Sequence, residues 1–67
     1  MQFTGIVKAF DEEEGVGTIV RDRDQHEIVV STIGLAMGVP GLSEGDRVQF
    51  DVDFGVNPQA RNVMPAW

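Results

Sequence analysis

The run RVQFDVDF at residues 47–54 alternates strictly, with Val48, Phe50, Val52 and Phe54 on one side and Gln49, Asp51 and Asp53 on the other. Successive side chains of an extended chain point to opposite faces, so this spacing predicts a strand with one apolar and one wet face. Its β-branched and aromatic content suits a pleated, half-buried surface. Working outward, four more short runs of similar composition follow the same logic: FTGIVKAF at 3–10, GVGTIV at 15–20, EIVV at 27–30 and ARNVMPAW at 60–67. Turn-forming residues separate them at 11–15, 22–25, 34–45 and 55–58. Five short strands at this spacing predict an all-β fold, a small barrel or sandwich. No segment keeps a helical period. The stretch TIGLAMGVPGL at 32–42 has four Gly or Pro among eleven residues and reads as a long ordered loop.

A chain of 67 residues is one domain, spanning residues 1–67. At that size the net stability is roughly 3–5 kcal/mol without staples. There is no cysteine, which excludes disulfides and thiolate metal sites and fits a reducing compartment. No basic, apolar leader and no apolar run of membrane-spanning length is present, so the expected setting is the soluble cytoplasm. Eleven Asp and Glu against five Lys and Arg give a formal charge of −6. Such a chain repels polyanions at long range, which weakens the phosphate contribution that dominates most nucleic-acid binding. A local basic stripe on an acidic protein can still bind.

The order of motifs resembles the bacterial cold-shock proteins. T-G-I-V-K-A-F at 4–10 resembles that family's opening G-x-V-K-W-F, and E-G-V-G-T-I at 14–19 stands where it carries K-G-F-G-F-I, its first ribonucleoprotein motif. E-I-V-V-S-T at 27–32 stands in place of the second, D-V-F-V-H-F. The C-terminal half is closer: L-S-E-G-D-R-V-Q-F-D-V at 42–52 resembles L-x-E-G-x-x-V-x-F-x-V, and N-P-Q-A-R-N-V at 57–63 resembles G-P-Q-A-x-N-V. The resemblance runs nearly end to end. It implies a five-stranded antiparallel OB-type barrel and binding of single-stranded RNA or DNA, as an RNA chaperone or transcription antiterminator.

By that resemblance, bases stack on aromatics of three neighbouring strands and one loop. Carried over position by position, those rings are largely gone. The tryptophan becomes Ala9, the two phenylalanines of the first motif become Val16 and Thr18, and Phe, His and Phe of the second become Val29, Ser31 and Thr32. The loop aromatic of G-F-K-x-L corresponds to Val39, and the lysine before the first glycine becomes Glu14, a charge reversal. Lys8 and Phe10 keep the family identity, and Arg61 adds a cation. Gly15 and Gly17 keep the backbone freedom for close strand approach or barrel curvature. The scaffold is retained and the stacking chemistry is not. Nucleic-acid binding is therefore expected to be weak, resting on Lys8, Phe10, Arg61 and backbone donors.

The remaining features point to no catalysis. The run Asp11-Glu12-Glu13-Glu14 lacks the staggered ligand spacing of a calcium loop and reads as a solvated turn. His26 is the only histidine, with no recognisable nucleophile motif and too few partners for a metal, and reads as a turn or strand-edge residue. No metal, cofactor or membrane partner is expected, and the chain does not read as an enzyme. Trp67 either folds back over a barrel end or offers an exposed ring to a partner. A rival function uses the former binding face as an apolar patch, with Val16, Val29 and Val39 beside Phe10, for a protein partner or a homodimer. Thr18, Ser31 and Thr32 argue against that rival, since they are polar.

Overall fold

The computed structural model describes residues 2–39 and 41–66. Five strands form: β1 (Gln2–Asp11), β2 (Val16–Arg21), β3 (Glu27–Ser31), β4 (Arg47–Asp53) and β5 (Gln59–Pro65), with a single 3₁₀ turn at Thr32–Gly34. They close into a barrel in the order β1-β2-β3-β5-β4. Closure decides for the barrel over the sandwich. The β1–β2, β2–β3, β1–β4 and β4–β5 pairs are antiparallel. The seam between β3 and β5 is parallel and thin, held at Val29↔Gln59 and by the bridge Leu35↔Val63.

Alternation builds the interior. Val7, Ile19, Ile28, Val30, Val48, Phe50 and Val63 point inward and are fully buried, and Leu42 and Ala60 complete the core. Each large side chain so removed from water contributes about 1.5–3 kcal/mol. Gly17 has to be glycine for packing, because a Cβ there would run into the Ala9 carbonyl oxygen and lie 2.7 Å from Phe10 Cδ1. Close approach of β1 and β2 is what the retained glycine secures. Gly15 has φ +74° at the end of the β1–β2 turn, where a side chain would be strained.

Two expectations about the core need correction. The alternation of 47–54 does not carry Phe54 inward with Val48 and Phe50. The ladder stops at Asp53↔Gln59, the chain enters a hairpin loop, and Phe54 is 68% exposed. The stretch read as a loop from residue 32 begins instead with the 3₁₀ turn at Thr32–Gly34, and Leu35 bridges to β5. Trp67 lies outside the described residues, so neither reading of its ring is tested.

The β2–β3 turn is held by a set of contacts around Arg21 and Asp24. Arg21 is 9% exposed and its guanidinium carbon sits 4.8 Å from the Phe3 ring centroid. It donates to both oxygens of Asp24, from Nε at 3.0 Å and from a terminal nitrogen at 2.7 Å. Asp24 also accepts from the backbone N–H of His26 at 3.1 Å, which fixes His26 in the turn preceding β3. The hydrogen bonds from Arg21 hold the Asp24 carboxyl well below the usual carboxylate range, and the same pairing raises Arg21.

Candidate nucleic-acid interface

The outer face of β1, β2 and β3 is where the stacking residues are expected, and strand register sets which side chains reach it. Ile19 and Ile28 point inward and pair across β2–β3, so the neighbouring pair Thr18↔Val29 points outward, as does Val16↔Ser31. Val16 is 44% and Val29 48% exposed, while Thr18 and Ser31 are half-buried. Val16, Thr18, Val29 and Ser31 thus form one contiguous outward group. It offers methyl groups and hydroxyls and no ring.

On β1 the register shifts between Val7 and Ala9, because Val7 faces Ile19 and Ala9 faces Thr18. Lys8 is the extra residue of a β-bulge, and the bulge resets the parity of the strand. Ala9 therefore lies beside Thr18 on the outer face, exposed. Phe10 pairs with Gly17 and packs half-buried against the core instead of joining the outer row. Its ring fills the space that Gly17 leaves empty. The placement of Phe10 with the outward residues is thereby corrected.

Val39 is likewise half-buried and packed against the core, with its N–H bonded to the Ala36 carbonyl at 3.1 Å. Both the apolar patch of Val16, Val29 and Val39 and its neighbour Phe10 shrink to Val16 and Val29. Thr32 is exposed at the start of the 3₁₀ turn and donates its N–H to the Gly15 carbonyl at 2.9 Å, tying that turn to the β1–β2 turn.

Charge on this face is spoken for. Lys8 reaches across β2 to Glu27, Nζ to Oε2 at 3.1 Å, with both side chains more than half exposed. Arg61 stands 3.8 Å from an oxygen of Asp53. The β1–β2 turn adds four carboxylates, Asp11 to Glu14, all exposed. Asp11 Oδ1 accepts from the N–H groups of Glu13 at 3.0 Å and Glu14 at 3.2 Å, so the acidic run is a hydrogen-bonded turn. Of the five cations in the chain, Lys8, Arg21, Arg47 and Arg61 sit in ion pairs. Among the described residues no group of three or more His, Cys, Asp or Glu is placed to hold a metal ion.

Two contributors were not legible in the sequence reading. Glu27 emerges as the counter-ion of Lys8, nineteen residues away in the chain. Phe54 emerges as an exposed ring in the loop that follows β4. Its signal was the Gly55 that follows it, a turn residue that ends the strand one position sooner than the alternation does.

A closed five-stranded barrel with this strand order defines an OB-type fold. The sequence between residues 3 and 66 matches the 'Cold-shock' DNA-binding domain. Its curated relatives agree over nearly the whole length. It is 38% identical to the cold shock-like protein CspG of Shewanella violacea over 63 residues, 91% of this chain and 90% of the relative. It is 37% identical to the cold shock protein ScoF of Streptomyces coelicolor over 65 residues, 94% of this chain and 97% of the relative. It is 38% identical to the cold shock protein CspC of Bacillus subtilis over 63 residues, 92% of this chain and 96% of the relative. The chain belongs to the cold-shock domain family, whose members bind nucleic acids.

Proposed function

We propose that this protein binds single-stranded RNA or DNA across the outer face of β1–β3, as its family does, but weakly, and that it has no catalytic role. The observation behind this reading is the outward row itself: Ala9, Val16, Thr18, Val29 and Ser31 present no aromatic ring. One base–aromatic stack is worth about 1–3 kcal/mol. A micromolar complex amounts to about 8 kcal/mol in all, so a few missing stacks are enough to move nanomolar binding to micromolar or weaker. Lys8 and Arg61 compensate poorly, since each must first leave a carboxylate. A cytoplasmic site of action accords with this role.

The rival docking face is less favoured, since Phe10 and Val39 turn to the core and leave only Val16 and Val29 of that patch exposed. Titration of a labelled oligopyrimidine at low and moderate salt tests the reading. Micromolar or weaker, salt-sensitive binding is expected. A nanomolar complex contacted through Val16, Thr18 and Val29 overturns the weakness, and no binding at low salt overturns the strand-binding role.

A further inference from the structure

The face that lost its rings is joined through β5 to a loop that carries one. Phe54 is 68% exposed, whereas Phe3 and Phe10 are half-buried and Phe50 is buried. It directly follows Asp53, the residue at which β4 pairs with Gln59, and Gln59 in turn pairs with Val29 of the outer face. The hairpin bearing Phe54 is therefore continuous with the face that family members use. Between the 3₁₀ turn and β5 there is a groove of about 240 Å³, lined in part by Ser31, Ile33, Asp53, Gln59 and Arg61. That is smaller than the roughly 300–1,000 Å³ of a drug-sized ligand site and suits a single planar ring.

We propose that one base of a bound single strand leaves the outer face at the β3–β5 seam and stacks on Phe54, the residue next in the chain to the groove-lining Asp53. The proposal rests on the strand-binding reading above. Every base has a π-face, so one exposed ring suffices for a sequence-tolerant stack. Ser31 and Gln59 both carry donor and acceptor atoms for the edge of a base. Arg61 holds Asp53 at 3.8 Å, the longest of the ion pairs here. Of these paired cations it is the one most readily turned to the phosphate of that nucleotide. Ile33, 92% exposed, adds an apolar wall at the mouth of the groove.

The test compares wild type, Phe54→Leu and Phe54→Tyr, titrated with a labelled oligothymidine at low salt. Thermal melts confirm that each variant is folded, which the exposure of Phe54 makes the expected result. Phe54→Leu is expected to weaken binding roughly 5- to 150-fold, the range of one stack, with an unchanged salt slope because no charge is removed. Phe54→Tyr keeps the ring and is expected to bind like wild type. The proposal is overturned if the leucine variant binds as wild type does, or if the tyrosine variant is as weak as the leucine one. If wild type binds and an outer-face variant changes affinity while Phe54→Leu does not, the groove falls and the outer-face reading stands. If wild type binds nothing at low salt, both fall.

Discussion

Restoring the rings is the sharpest perturbation, and the geometry fixes what it should do. The change is Val16→Phe, Thr18→Phe and Val29→Phe together. All three positions point outward, Thr18 directly opposite Val29 and Val16 two residues along the same strand as Thr18. Opposed side chains on a sheet lie about 5 Å apart at Cβ, so the new rings touch one another as well as the bases. Three stacks at about 1–3 kcal/mol each sum to about 3–9 kcal/mol if independent. Contacting neighbours are not independent, so the lower half, about 3–6 kcal/mol, is the working range. That is a gain of about 10²- to 10⁴-fold in affinity. The barrel should tolerate the change, because phenylalanine suits strands and the valines are 44% and 48% exposed. Fluorescence anisotropy with a labelled oligothymidine at two salt concentrations measures it. The affinity should rise while the dependence on salt stays as it was, since no charge changes. A folded triple variant that binds no tighter than wild type refutes the argument that missing rings set the affinity. A steeper salt slope in its place assigns the effect to phosphates.

Two further outcomes follow from the ion pairs. Glu27→Gln releases Lys8 from its 3.1 Å contact. The freed ammonium should tighten strand binding up to about fivefold, matching the modest worth of an exposed pair. It should also steepen the log–log salt slope by about 0.7, one more phosphate neutralised; an unchanged slope shows that Lys8 does not reach the strand. Asp24→Asn removes the carboxylate that accepts two hydrogen bonds from the nearly buried Arg21, and should lower the thermal midpoint at neutral pH. Because the folded state holds the Asp24 carboxyl below its ordinary value of 3.8, the native protein binds fewer protons there than the unfolded chain. The stability from Asp24 is present above that value and is lost as the pH falls below it. Urea melts across the acid range should therefore show a shallower loss for Asp24→Asn than for wild type, and coincident acid limbs count against the pair.

The family, the five strands and the pairing of Val48 with Phe50 on one face were legible without coordinates, because motif order and period-two alternation are properties of near neighbours in the chain. So was the lack of a ring at Val16, Thr18 and Val29, since identity at a motif position needs no coordinates. Where alternation stops or changes phase became apparent only in the folded barrel. The bulge at Lys8 turns Phe10 to the core, and β4 ends at Asp53 and leaves Phe54 in water. Both depend on which residue of the partner strand is left to pair, and that is not written locally. The capture of Lys8 by Glu27 joins residues nineteen apart across an intervening strand, so the electrostatics of the face became visible only once the barrel had closed.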